Sequence, residues 1–241
     1  MKRLPYLQLI GSLLYLSTMT RPDIAYHMSV LCSFMHDPSI RAYESALDLL
    51  AYISRTSDHQ LRFSGSTAVP EGIDRECHPK IKGNHGLVAY SDASWHKPNH
   101  LGYNMFGYVV YLYGGPISFA AKNMKVVALS SAEAEYAGAA FACREIQFVR
   151  NLCKDLGIQL NGPTILAIDN KAAIQVAKNM GVTGRNKHFE DTLHYFRHLV
   201  DHLLVEPTFV TTKHQRADGF TKPLVPSLYN PWKRNVVHII E

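Results

Sequence analysis

VVALSSAEAEYAGAAFACREIQFV, residues 126–149, joins a β-branched run to a long helical run. The pattern predicts a strand over 126–130, a stop at the paired serines, and a helix to Asp155 ended by Gly157. Ser130 followed three residues later by Glu133 is a capping-box signature, which satisfies backbone donors left over at a helix start. At 3.6 residues per turn Glu133 falls with Ala137, Ala140, Arg144 and Gln147, a small or polar face. Glu135 falls with Ala139, Ala142, Ile146 and Val149, the face expected to meet a core. Glu133 thus has a local backbone role. A carboxylate on the inward face must pair, coordinate a metal or destabilise the fold. Glu135 is the residue that asks for a function.

Outward from this helix the chain reads as strands and further helices. GLVAYSDAS (86–94) is a short apolar strand ending in Asp92. MFGYVVYLYGG (105–115), PISFAAK (116–122) and VVALS are close enough for a meander. GPTILAIDN (162–170) is a buried strand that again ends in an acid, Asp169. KAAIQVAKN reads as a short helix, KHFEDTLHYFRHLVDHL as a longer one and VEPTFVTTK as a last strand. Asp218 follows in HQRADGFTKPL, near the start of a final helix. This order implies a mixed α/β sheet, antiparallel at the front and parallel at the back.

Two acids at strand C-termini point to the crevice where open α/β sheets bind ligands. With Glu135 between them in sequence and Asp218 after them, four carboxylates converge with no lysine or histidine intervening. Such a cluster repels itself unless divalent cations occupy it. All-oxygen ligation selects Mg²⁺, or Mn²⁺, over zinc. Two such ions about 4 Å apart activate water and stabilise a leaving oxygen in phosphodiester cleavage. Taken singly, each aspartate reads first as a turn or cap residue, and it is the joint pattern that points to a metal.

Residues 4–65 read as wholly helical. Leu9, Leu13 and Leu16 form one stripe of the first helix with Ile10 and Leu14 beside it, and a third helix turns Ala42, Ala46, Leu49 and Ile53 inward. No acid pair here has metal geometry, so a packing module is expected. The apolar run after Lys2-Arg3 is too short to span a bilayer and lacks a cleavage site. Residues 66–84, rich in Pro, Gly and charge, read as a linker. The expected organisation is therefore a helical segment (1–65), a linker (66–84), an α/β domain (85–226) and a tail (227–241). The 241 residues carry a formal charge of +5, which favours polyanionic partners. Cys32, Cys77, Cys143 and Cys153 show neither metal nor disulfide spacing, the pattern of a reducing, intracellular compartment.

YSDASW (90–95), ALSSAEAEYAGAA (128–140), AIDNKAAI (167–174), NKHFEDTLHYFR (186–197) and ADGFTKPL (217–224), in this order, resemble the RNase H domain of copia-type retrotransposon polyproteins. LIGSLLYLSTMTRPDIAYHMSVL with LLAYISRT resembles the segment after the polymerase palm of the same polyproteins, the C-terminal end of a reverse transcriptase. The resemblance implies an RNase H-like fold, a five-stranded mixed sheet flanked by helices, here with an N-terminal helical module. It implies Mg²⁺-dependent cleavage of RNA in RNA–DNA hybrids, leaving 5′-phosphate and 3′-hydroxyl ends, beside the reverse transcriptase portion of the polyprotein. It makes Asp92 the strand aspartate shared by both ions, Glu135 the helix ligand, Asp169 the second strand aspartate and Asp218 the late carboxylate. His214 lies near the place of a mobile histidine in related enzymes, but its short spacing to Asp218 favours a solvated loop residue.

The chain departs from the family's basic turn after the first motif, having HKPNHLGYNMFG there, and has Phe119-Ala120-Ala121 where a lysine is usual. Lys122, Lys125, Lys171, Arg185, Lys187 and Lys213 remain as candidates for tracking a phosphate backbone. Those departures keep open an alternative, an inactive relic that binds nucleic acid or scaffolds a polymerase. No paired-aspartate polymerase motif occurs in the chain.

Overall fold

A computed structural model describes residues 5–66, 68, 70–73, 86–95, 102–178 and 190–239. Its centre is a five-stranded sheet made of β2 (Leu87–Ala93), β3 (Asn104–Leu112), β4 (Gly115–Met124), β5 (Thr164–Ile168) and β6 (Val205–Phe209). The spatial order is β4-β3-β2-β5-β6. β2, β3 and β4 form an antiparallel meander, whereas β2, β5 and β6 run parallel. The expected front and back of the sheet are thus both present. β2 and β5 are central and buried along their whole length, which is why they read as unbroken apolar runs.

The long helix α4 (Ser131–Asp155) lies on one face with α5 (Lys171–Lys178) and α6 (Glu190–Asp201). Its cap is as predicted. The Ser130 hydroxyl accepts from the Glu133 amide at 3.2 Å, and the Glu133 carboxylate accepts from the Leu129 amide at 2.7 Å. The expected small or polar face is nevertheless not exposed, because Ala137 and Ala140 are as buried as Ala139 and Ala142. The sheet covers one side of α4 and α6 the other, so the run 134–140 is enclosed all round.

VVALS is not a strand. β4 carries all of PISFAAK and continues to Met124, after which the chain runs to the α4 cap at Ser130 without adding a sixth strand to the open edge of β4. Val127 and Leu129 stand exposed in a loop. Residues 4–65 are also not wholly helical. α1 (Tyr6–Met19), a 3₁₀ turn (Pro22–Ile24), α2 (Ala25–Cys32) and α3 (Ile40–Arg55) are followed by a short strand, β1 (His59–Gln60). The buried stripe of α1 is Tyr6, Ile10, Leu13 and Ser17, rotated from the predicted one so that Leu14 faces outward. α3 buries Ala42, Ala46 and Leu49 as expected.

Residues 226–239 form α7 (Pro226–Val236) and β7 (His238–Ile239), and β7 pairs antiparallel with β1. Trp232 and Val236 pack with Val88, Tyr90, Val109, Tyr111 and Phe220 on the second face of the sheet. A polar clasp joins the helical segment to α7. The Tyr52 hydroxyl donates to Asp23 Oδ2 at 2.8 Å and lies 3.1 Å from the Tyr229 hydroxyl, while Arg21 pairs with Asp23 at 2.8 Å. Within the predicted linker, Ile73 is buried and bridges to Val210. Residues 74–85 lie outside the described residues, as does Cys77; the three described cysteines are free. Among the described residues no helix is long and apolar enough to cross a membrane.

Candidate active site

Register brings the first two acids together. Tyr90 of β2 lies beside Ala167 of the parallel β5, so two residues on Asp92 lies beside Asp169. Adjacent strands are about 4.8 Å apart, and equal spacing from the paired residues turns both side chains to one face. Glu135 reaches them from the second turn of α4. One oxygen of each of Asp92, Glu135 and Asp169 lies within 4.8 Å of the others.

Two glycines make this convergence possible. Gly107 is paired with Asp92 across β2 and β3, and a Cβ there would lie 2.3 Å from Phe220 Cβ. Its bare backbone lets the 3₁₀ turn Asp218–Phe220 lie directly on the sheet. Asp218 therefore sits in that turn, and the final helix begins only at Pro226, later than predicted. Gly138 stands one turn after Glu135, where a Cβ would meet Ala93 Cβ at 3.3 Å and the Asp92 carbonyl oxygen at 3.4 Å. That close approach lays α4 against the end of β2.

Asp92 and Glu135 are buried, at 4% and 7% exposure; Asp169 and Asp218 are half-buried. The Ala93 amide donates to Glu135 Oε1 at 3.3 Å, whereas Glu135 Oε2 is buried with no hydrogen-bond partner among the described residues. The Thr221 hydroxyl donates to Asp92 Oδ2, and that of Thr212 donates to Asp169 Oδ2 at 3.2 Å. Burial, with Asp92 and Asp169 close by, pushes the Glu135 carboxyl well above its ordinary range. Burial and Asp92 also raise Asp169. Asp218 is pushed up to about 6 by burial and Asp92, against the pull of Lys222.

Lys222 corrects the expectation that no cation intervenes. Its ammonium pairs with Asp218 Oδ1 at 2.8 Å. Burial opposes its charge, but Asp92, Asp218 and Asp169 together hold it protonated above the usual lysine range. The donor set still fits divalent metal: it is all oxygen, three of its groups converge, and one buried oxygen has no partner among the described residues. Asp92, Glu135 and Asp169 are placed to hold an ion, with Asp218 beside them.

Sequence reasoning missed Thr212, Thr221, Lys222, Gly107 and Gly138. Thr221 and Lys222 lie three and four residues after Asp218, a spacing that one helical turn brings to the same side. Of the predicted backbone-tracking cations, Lys171 and Lys213 flank Asp169, one opening α5 and the other beside Thr212. The Lys171 ammonium lies 4.7 Å from the Phe209 ring centroid. Lys122 is level with Ala93 through Phe106, two strands away, and Lys125 follows β4 at the same end of the sheet. Arg185 and Lys187 lie outside the described residues. His214 is not in the acid cluster, its ring being 2.9 Å from the Thr211 hydroxyl and 3.9 Å from Glu71.

A β4-β3-β2-β5-β6 sheet, antiparallel then parallel, with a long helix crossing from β4 to β5, defines an RNase H-like fold. No protein-family model matches the chain. The chain belongs to the retrovirus-related Pol polyproteins of copia-type transposons. It is 33% identical to that of transposon RE2 from Arabidopsis thaliana over 232 residues, 96% of this chain and 15% of the relative. To that of transposon RE1 from the same plant it is 35% identical over 222 residues, 91% of this chain and 14% of the relative. The chain thus spans about one seventh of the length of these relatives. Among solved structures, an LC11-RNase H1 in complex with an RNA/DNA hybrid aligns with 56% of this chain and 92% of its own, at 11% identity and a TM-score of 0.43.

Proposed function

We propose that this chain is the ribonuclease H module of a copia-type Pol polyprotein, cleaving the RNA strand of RNA–DNA hybrids beside the reverse transcriptase portion. The supporting observation is the convergence of Asp92, Glu135 and Asp169, one buried oxygen of which lacks a partner among the described residues. Asp92, Glu135, Asp169 and Asp218 would hold two Mg²⁺ ions, which when bound activate water and stabilise the leaving oxygen. The chain's own residues prepare the rest. The Ala93 amide and the hydroxyls of Thr212 and Thr221 orient the carboxylates. Lys171, Lys213, Lys122 and Lys125 stand at the same end of the sheet to meet strand phosphates, and Arg185 and Lys187 complete the proposed set. Choice of RNA would come from contacts to 2′-hydroxyls across a minor groove.

The Lys222–Asp218 ion pair favours a second reading, a relic that binds hybrid without cutting it, because the acids then carry an internal counterion. A labelled RNA–DNA hybrid in Mg²⁺, with Asp169→Asn as control, separates the two. Cleavage confined to the RNA strand and lost in the control supports the nuclease. Hybrid binding without product at any Mg²⁺ or Mn²⁺ concentration supports the relic.

A further inference from the structure

At the other end of the sheet from the acids, a cavity of about 280 Å³ opens beside the β3–β4 turn at Gly114. Gly107, level with Asp92, is seven residues from Gly114, so roughly 20 Å separates the two places. Three arginines line the cavity: Arg62 after β1, Arg216 before the Asp218 turn, and Arg234 of α7. Ser64, Asn235 and His238 add polar groups. No aspartate or glutamate is among its described lining residues.

Arg216 is the built element. Its guanidinium carbon lies 5.3 Å from the Tyr90 ring centroid and 5.0 Å from that of Tyr111. Tyr111 is itself held, its hydroxyl donating to the Asn235 carbonyl at 2.9 Å. The Trp232 indole donates to the Arg216 carbonyl at 2.8 Å, which fixes the backbone as well. Lying near two rings that meet edge to face orients a guanidinium but supplies no anion to balance its charge. Among the described residues none of the three arginines forms an ion pair. A half-buried cation with two more cations beside it calls for an anion.

The lining also says which kind. Small-molecule pockets occupy about 300–1,000 Å³ and are mostly apolar and aromatic. This one lies at the small end of that range, and among its described lining residues the three arginines outnumber the one aromatic ring, the His238 imidazole. Arginine forks match oxyanions in bidentate geometry. We propose that this cavity is a phosphate-binding site, separate from the acid cluster and taking a phosphate group alone, either the free ion or one carried on a nucleic-acid strand.

The probes are inorganic phosphate and pyrophosphate, titrated against the full chain at constant ionic strength in chloride and read by calorimetry. Saturable binding is expected. Arg62→Gln and Arg234→Gln, both exposed, each weaken it by about fivefold or more, while Lys154→Gln, an exposed cation at the end of α4, leaves it unchanged. The phosphate-free melting temperature of each variant checks that the fold is kept. Independently of any variant, the amide resonances of Ser64, Gly114 and His238 in the unaltered chain shift as phosphate saturates. A duplex that competes with phosphate assigns the group to a strand backbone, and phosphate binding indifferent to duplex assigns it to the free ion. Unsaturable binding, equal weakening by Lys154→Gln, or unmoved resonances at those three amides would overturn the site. None of these readouts depends on cleavage, so loss of the nuclease reading leaves the test intact.

Discussion

Replacing Glu135 by glutamine should make the metal-free protein more stable at neutral pH. Glu135 is 7% exposed, has one oxygen unsatisfied and shares its surroundings with Asp92 and Asp169. Without an ion it must either stay ionised there or carry a proton that water at pH 7 would remove. The second option sets the ceiling. Holding a proton on a carboxyl whose ordinary value is 4.5 costs about 1.4 kcal/mol per pH unit, or about 3 kcal/mol at pH 7. Glutamine has the same shape, keeps an oxygen to accept from the Ala93 amide and brings an NH₂ to donate to the neighbouring carboxylates. Its gain is therefore bounded by that 3 kcal/mol, which for a chain of 241 residues is about 6–12 °C in melting temperature.

The sign of the pH dependence follows from the raised carboxyl. Its folded form binds the proton more tightly than the unfolded form, so the wild-type penalty is greatest at high pH. It shrinks as pH falls and vanishes near 4.5. Thermal and urea unfolding in EDTA, from pH 4.5 to 7.5, measure this directly. The glutamine variant should be the more stable at pH 7, with the gap closing toward pH 4.5. Adding Mg²⁺ should stabilise the wild type and not the variant, since only an ion that binds the folded state shifts the equilibrium. A variant less stable than wild type in EDTA at pH 7 would refute the reasoning, for Glu135 would then be a satisfied structural group.

Lys222→Met should destabilise the metal-free chain, because Asp92, Asp169 and Asp218 lose their internal cation, and should raise affinity for Mg²⁺; calorimetry showing unchanged or weaker ion binding would contradict this. Gly107→Ala places a Cβ 2.3 Å from that of Phe220 and should cost about 1–3 kcal/mol, with weaker ion binding as the Asp218 turn lifts, both measurable by unfolding and metal titration. Tyr52→Phe removes the hydroxyl between Asp23 and Tyr229 and should cost about 1–2 kcal/mol in urea unfolding while leaving any hybrid cleavage rate unchanged.

The legible part of the site was the part written in local periods. Glu135 stands five residues after its cap, and helix geometry alone turns it inward; Asp92 and Asp169 end apolar runs, and parallel register places such ends side by side. What stayed hidden depends on contacts between distant segments. VVALS has the composition of a strand, yet it leads straight into the α4 cap and does not pair with the open edge of β4. β1 and β7 are two residues each, too short for any period, and they meet from opposite ends of the chain. Gly107 reads as a weak point in a strand until the Phe220 turn is laid on it.

Lys222 is the instructive omission, because it changes the electrostatic argument. Four carboxylates with no cation would resist folding until ions arrived, and the expected repulsion rests on that picture. With the Lys222 ammonium 2.8 Å from Asp218 and attracted by Asp92 and Asp169, the turn that brings the fourth acid also brings a positive charge. That charge offsets part of the repulsion but does not complete the set, since Glu135 Oε2 still has no partner among the described residues and its carboxyl remains raised. An ion entering the cluster therefore gains most at Glu135, which Lys222 does not neutralise, and competes most directly with Lys222 at Asp218, where the ammonium is in contact. Ion binding should then proceed in two unequal steps, the weaker one strengthened by Lys222→Met and the stronger one abolished by Glu135→Gln.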